Sequence, residues 1–452
     1  MINFKGINDK EVVKTGFQKK KVLFKIKGEK EQQIAKGRMP LNISLVFDVS
    51  GSMADSIGKK LVNVNPNNDA IAFLKGIDAN NQRNVGFIGG LLENNFNTKL
   101  SQVKEAGMKC IEMLEDGDFV SIVTFNGNAS VVQEAIKIND GVRQQLKNKI
   151  LFINAGGGTN LHDGWLQGGM EVAKNLSSKS INRVLVLTDG ETNQGITDSN
   201  EISKHVEGLA RKGISTSTFG VGDHYNEDLL EKMATVSGGN SYYIEDENKV
   251  VSILKEEFTC LNNIVGDNAT IEFITNSGAS ITCLNELDYA EKKYMIGNLI
   301  GGREVNILME FSFTNTNAVS YDFNLGDMKL GFTNNEGKKE YLVIPLVYKT
   351  VSEEDLNSLK MNEEVNIQDV ILEMAKQQKL AKEAVKNGDR VASMKFMRTS
   401  IKSSESFSSD PRVKKEIDAL NTFIAESESY SDVKMGKMLS SMSYDTRTSK
   451  KG

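Results

Sequence analysis

Five side chains in three short segments could together hold a hard cation. Asp48, Ser50 and Ser52 share the turn Asp48-Val49-Ser50-Gly51-Ser52. Thr159 follows the run Gly156-Gly157-Gly158, and Asp189 sits in Thr188-Asp189-Gly190. Two carboxylates and three hydroxyls are all hard oxygen donors, suited to Mg²⁺, Ca²⁺ or Mn²⁺ and not to thiophilic metals. The neighbouring glycines let the backbone turn tightly and approach an ion. The three cysteines, Cys110, Cys260 and Cys283, are odd in number and far apart. That spacing argues against a disulfide framework or a zinc site and predicts buried thiols.

The three segments must be carried by elements that meet. The apolar run 41–47 leads directly into Asp48, and the run 183–188 leads into Asp189. Further strand patterns at 119–125, 214–219 and 241–244 alternate with helical patterns at 100–114, 199–212, 226–236 and 247–262. This alternation predicts an α/β fold with a mostly parallel sheet covered by helices on both faces. In such a sheet the C-terminal strand ends share one rim, where ligands bind. Segments distant in sequence can meet there.

The flanking regions read differently. Residues 1–39 hold one strand signal, 22–27, in which Val22, Phe24 and Ile26 alternate with Leu23, Lys25 and Lys27. The run Lys19-Lys20-Lys21 ahead of it reads as a solvated edge. Short strands at 269–274, 292–299, 303–313, 322–332 and 340–349 predict a β-sandwich over 263–350, which the strand of 1–39 could complete. Residues 352–427 turn helical, with helices at about 364–387, 389–406 and 411–426, and predict a helical hairpin or bundle. Asn387-Gly388 supplies a stop and Pro411 a start. The Ser-, Lys- and Met-rich tail, 428–452, is expected to be mobile. Within the α/β part (41–262), residues 54–98 are rich in Asn and Gly and lack periodicity, which marks an insertion beside the turn.

Asp48-x-Ser50-x-Ser52, Thr159 and Asp189, in that order and on those loops, resemble the metal-ion-dependent adhesion site of von Willebrand factor A domains. The contexts Val46-Phe47-Asp48-Val49-Ser50-Gly51-Ser52-Met53 and Leu187-Thr188-Asp189-Gly190 belong to the same resemblance, as do Gly220-Val221-Gly222 and Ser237-Gly238-Gly239. It covers roughly 41–262 and implies a doubly wound, Rossmann-like sheet. It further implies direct metal contacts from Ser50, Ser52 and Thr159, contacts partly through water from Asp48 and Asp189, and a sixth position left for a partner's Asp or Glu. The ion expected is Mg²⁺, with Ca²⁺ or Mn²⁺ as alternatives. The whole layout is similar to bacterial stand-alone proteins of this type, related to the calcium-activated chloride-channel and inter-alpha-trypsin-inhibitor heavy-chain groups. The departure is the insertion at 54–98, read either as a wall or lid over the site or as a disordered surface loop.

Composition narrows the function classes. With 60 acidic and 55 basic residues among 452, the net charge is −5. That balance gives no reason to expect nucleic acid. No apolar run is long enough to span a membrane, and the N-terminus lacks a signal-peptide pattern, so a cytoplasmic protein is expected. Catalytic groups are sparse. His162, His205 and His224 are scattered, with His162 read as packing and His224 as solvent-facing. No nucleophile motif occurs. Trp165 reads as core, and Asp163 and Glu191 as solvated helix-start or loop carboxylates that could instead support the ligands. The function expected is a non-enzymatic, metal-dependent protein-interaction module. The alternative is a structural or assembly protein whose metal only stabilises the fold. A metal-dependent hydrolase would need a base beside activated water, for which only His162 is available.

Overall fold

The computed structural model describes residues 2–29, 38–55, 98–245, 249–275 and 277–448. Three strands come first: β1 (Ile2–Asn8), β2 (Val12–Lys14) and β3 (Gly16–Gly28). An α/β unit follows, comprising β4 (Leu41–Asp48), α1 (Lys99–Met113), β5 (Phe119–Phe125), β6 (Ala129–Lys137), α2 (Asp140–Leu151) and α3 (Leu161–Ala173). It continues through β7 (Ile181–Thr188), α4 (Ser199–Ala210), β8 (Ser215–Val221), α5 (Glu227–Ser237), β9 (Ser241–Ile244) and α6 (Val250–Asn262).

The sheet of this unit runs β6-β5-β4-β7-β8-β9, and only the edge strand β6 is antiparallel. Every residue of β4, β7 and β8 is buried. Their side chains alternate between two cores. Leu45, Phe47, Leu185 and Leu187 join Val103, Ile150 and Phe258 on one face. Val46, Val184 and Val186 join Trp165, Val206 and Met233 on the other. Continuous apolar strands are what a sheet buried on both faces requires. Helix α3 presses close to the sheet: a Cβ on Gly164 would meet the Phe125 ring at 2.4 Å. Trp165 is buried as expected, and its indole donates to Thr216 Oγ1 at 3.0 Å. All three cysteines are free and buried.

After the α/β unit come β10 (Ile264–Ile274), β11 (Ser280–Cys283), β12 (Tyr289–Ala290), β13 (Lys293–Ile300), β14 (Glu304–Asn315), β15 (Asp322–Thr333) and β16 (Lys339–Val351). With the N-terminal strands they form two sheets, β1-β3-β14-β11 and β12-β13-β10-β15-β16-β2. Val22, Phe24 and Ile26, beside Ile307 and Met309 of the same sheet, share the core between the sheets with Leu330 of the other. The sandwich is thus assembled from both sides of the α/β unit. The Lys19–Lys21 run pairs with β14 on one side, while the β1 register ends at Val22, so the run lies on a strand edge beyond β1. Lys20 is 3% exposed and bonded to Asp9, while Lys19 and Lys21 reach Glu310 and Asp369. The edge is thus solvated at Lys19, 61% exposed, whereas Lys20 is withdrawn onto a carboxylate.

The helical part contains α7 (Glu353–Ser358), α8 (Glu363–Lys386), α9 (Arg390–Ser404), α10 (Pro411–Glu426) and α11 (Asp432–Thr448). Gly388, at φ 76°, ends α8, and Pro411 opens α10. Of the tail 428–452, expected to be mobile, residues 432–448 instead fold as α11, and 449–452 lie outside the described residues. Met435 and Leu439 of α11 are fully buried in a cluster with Met374, Met397 and Leu420. Among the described residues, no helix is long and apolar enough to cross a membrane. Leu439→Ala is expected to destabilise the helical part by about 2–5 kcal/mol, measured by chemical and thermal unfolding. A mobile tail would leave both transitions in place.

Candidate metal centre

The chain runs from β4 to β5 on one side and later returns to β7 on the other. The point where strand order reverses opens a crevice at the C-terminal rim. Asp48 ends β4 and Asp189 directly follows β7. Phe47 pairs with Leu187, so the two aspartates emerge from adjacent strands.

Backbone hydrogen bonds stitch the loops together. The Val49 N–H donates to Phe125 O (2.8 Å), the Gly156 N–H to Val49 O (2.7 Å) and the Gly51 N–H to Gly157 O (3.1 Å). Gly157, at φ +90°, takes a turn that a larger residue would strain. The Asn193 side chain accepts from the Thr159 N–H (2.9 Å), and the Asn193 N–H donates to Thr159 O (2.9 Å). That exchange ties the threonine loop to the segment after Asp189.

Both carboxylates are fully buried. Asp48 is held by neutral donors, the Ser50 N–H on Oδ1 (2.8 Å) and the Thr188 hydroxyl on Oδ2 (2.5 Å). Asp189 accepts from Ser52 Oγ on Oδ1 (2.8 Å) and from Lys99 Nζ on Oδ2 (2.7 Å). Ser50 Oγ lies 3.1 Å from Ser52 Oγ. Thr159 completes the cup across Gly190. A Cβ on Gly190 would sit 3.5 Å from Thr159 Oγ1 and 3.7 Å from Ser52 Oγ. The structure therefore brings Asp48, Ser50, Ser52, Thr159 and Asp189 to one place.

This donor set fits a hard divalent cation. It has two carboxylates and three hydroxyls on preformed loops, with neither sulfur nor imidazole. Among the described residues, no group of three or more His, Cys, Asp or Glu side chains gathers as a metal site. Neutral oxygens would supply much of the coordination.

Other candidates lie elsewhere. His162 Nε2 sits 2.9 Å from His205 Nδ1, and burial followed by the His205 charge holds its pKa below the ordinary value. His224 is exposed, as expected. Asp163 Oδ2 accepts from the Ala129 N–H (2.7 Å) and Glu191 is exposed, so the described contacts tie neither to the cup. Two residues of the cup had no role in the sequence reading. Thr188 was visible as the neighbour of Asp189. Lys99 carried no signal, because it follows the aperiodic stretch 54–98. The reading of that stretch as a lid concerns residues mostly outside those described. Its described ends meet where the Lys99 N–H donates to Asp55 O (3.2 Å).

Residues 92–256 match the family model of the von Willebrand factor type A domain, beginning beyond the Asp48–Ser52 turn. The chain carries a von Willebrand factor type A domain. Such domains form a family of metal-dependent protein-interaction modules. An uncharacterised protein of Synechocystis is 29% identical over 170 residues, covering 38% of this chain and 39% of that protein. YfbK of Escherichia coli is 26% identical over 221 residues, 46% of this chain and 38% of YfbK. Human inter-alpha-trypsin inhibitor heavy chain H3 is 25% identical over 172 residues, 37% of this chain and 19% of the heavy chain. The match thus spans well under half of each relative's length.

Solved structures extend the likeness of fold to nearly the whole chain. A von Willebrand factor type A protein from Catenulispora acidiphila superposes with TM-score 0.69 at 15% identity, covering 93% of this chain and 88% of its own. The ArnB paralog VWA2 from Sulfolobus acidocaldarius gives 0.61 at 14%, covering 99% and 98%.

Burial pushes the Asp48 carboxyl up from 3.8 to about 6, against the lowering effect of its bonds to Ser50 and Thr188. An acid whose pKa is higher in the fold than in the unfolded chain favours folding when protonated. Its contribution is fully present below about pH 4 and is lost as pH rises through about 6. In chelator, wild-type protein should lose stability relative to Asp48→Asn between about pH 5 and pH 7. Asp267, also raised to about 6, is common to both proteins and cancels in the difference. Parallel stability curves for the two would contradict the burial of an unneutralised Asp48.

Proposed function

We propose that this protein is a non-enzymatic, metal-dependent interaction module. In this reading Ser50, Ser52, Thr159, Asp48 and Asp189 hold one divalent cation, Mg²⁺ in the first instance. The cation then binds an Asp or Glu side chain of a protein partner. The observation that carries the reading is the gathering of three hydroxyls and two buried carboxylates at the strand-order reversal. A cation contacted largely by neutral oxygens keeps a local positive field for an outside anion, even where two nearby carboxylates balance its formal charge. Mg²⁺ suits a compact six-coordinate cup that retains water, whereas Ca²⁺ takes more ligands. The contact of His162 with His205 supports a role other than catalysis at the cup.

The test is affinity capture of partners by the full chain in Mg²⁺ and in EDTA, with wild type and Asp48→Ala. Loss of the partner in EDTA and in the variant is expected, with Mg²⁺ unable to rescue the variant. Partner capture unchanged in both arms would overturn the proposal. A purely structural metal, the second reading, is favoured by the complete burial of both aspartates. It predicts a lower thermal midpoint in EDTA with association intact.

A further inference from the structure

Lys99 is in an unfavourable position for a lysine. It is the first residue of α1, where the helix dipole favours acidic groups, and no acidic side chain stands in that first turn. It is also 8% exposed, so its ammonium has given up most of its water. Leaving an ammonium both desolvated and at the positive end of a helix requires a strong compensating partner. That partner is Asp189 Oδ2, at 2.7 Å. Among the described residues, Asp48 has no such cation and is held by a backbone N–H and a hydroxyl. The two carboxylates of the cup are therefore treated differently.

The consequence is electrostatic. Two carboxylates alone would neutralise a divalent cation completely. With the Lys99 ammonium added, the loaded cup keeps one surplus positive charge. The same ammonium repels the entering cation, and little water intervenes to screen it.

We infer that Lys99 is a resident counter-cation that weakens divalent-metal binding at this cup and leaves the loaded cup positively charged toward an anionic partner. The inference rests on the proposed metal-dependent function. It adds that a residue outside the ligand set determines how tightly the ion is held. In the absence of metal, Lys99 holds the Asp189 carboxylate in the position from which it would serve the ion.

The test is Mn²⁺ binding to the full chain by titration calorimetry, with Mg²⁺ as competitor, for wild type, Lys99→Gln, Lys99→Arg and Asp189→Ala. Lys99→Gln removes the charge and keeps an N–H donor. It should tighten Mn²⁺ binding by roughly tenfold or more. Lys99→Arg keeps the charge and should stay within about threefold of wild type. The gain in Lys99→Gln should grow as salt is lowered. Unchanged or weaker binding in Lys99→Gln, or an equal gain in Lys99→Arg, overturns the inference while leaving the metal site standing. Absence of Mn²⁺ binding in all four proteins sinks the metal-site reading itself. If Lys99→Gln folds only when Mn²⁺ is added, that outcome counts for the inference. If it stays unfolded at saturating Mn²⁺, that counts against it.

Discussion

The constraint on which the structure turns is the burial of two carboxylates on neighbouring strands. Asp48 and Asp189 have no solvent contact. Removing a carboxylate from water costs several kcal/mol even in a relaxed protein interior, unless donors replace the water. The fold supplies those donors from four places: the Ser50 amide, the Thr188 and Ser52 hydroxyls and the Lys99 ammonium. Each is fixed by an element whose position depends on the sheet. Register places Thr188 beside Asp48, since β4 and β7 pair in parallel just before them. Helix α1 brings Lys99, and the glycine loop holds the Asp48 turn from the other side.

A second buried charge cluster ties the far part of the sheet to its surroundings. Arg183 and Glu257 are both fully buried, 3.5 Å apart, which alone would be a weak pairing. Glu257 is better served by neutral donors, namely Ser217 Oγ (2.6 Å), Tyr242 OH (2.7 Å) and Asn240 Nδ2 (2.7 Å). Asn298 of the sandwich, its amide oriented to donate to Asp267 Oδ1 at 2.7 Å, also accepts from Arg183. The β-sandwich is thereby joined to the α/β sheet by polar groups that would be costly to separate. The helical part grips a different face. Lys437, 2% exposed, donates to Glu227 (2.9 Å) and to Tyr225 O, while Arg447 reaches Glu231. Helix α5, which follows the rim loop after β8, is thus anchored from outside the sheet.

How much of this was legible in the sequence follows from how each element is stabilised. Strands β4 and β7 are buried on both faces and show as unbroken apolar runs, with a polar turn immediately after. The cup residues were legible because their types and order are themselves the chemistry. Strand β6 is a half-exposed edge whose pattern mixes polar and apolar positions, so no periodicity marks it. Helix α11 escaped for a different reason. Its buried Met435, Leu439 and Tyr444 are diluted by Ser, Gly and Lys, and one of those lysines, Lys437, is itself buried. A lysine reads as solvated until its carboxylate partner, here on another domain, is known. Lys20 and Lys99 were opaque in the same way. The pairing of a charge is a tertiary fact, and sequence periodicity carries no record of it.

The hydroxyls of the cup explain how it can be built before any ion arrives. A carboxylate only accepts hydrogen bonds, so two of them left facing each other would repel. A hydroxyl can donate to a carboxylate while keeping its lone pairs directed elsewhere. Ser52 donates to Asp189, with the Ser50 hydroxyl 3.1 Å away and bonded to Asp48, so the serine protons are directed toward the acids. The lone pairs of the serine oxygens are then free for a cation, and Thr188 plays the same donor part for Asp48. Binding an ion in such a cup requires little rearrangement of protons or side chains. Replacing the serines with further acids would tighten the hold on the cation, but it would also turn the loaded cup negative toward a partner's carboxylate. Neutral donors oriented by buried acids reconcile a preformed site with an ion that can still attract a carboxylate from outside.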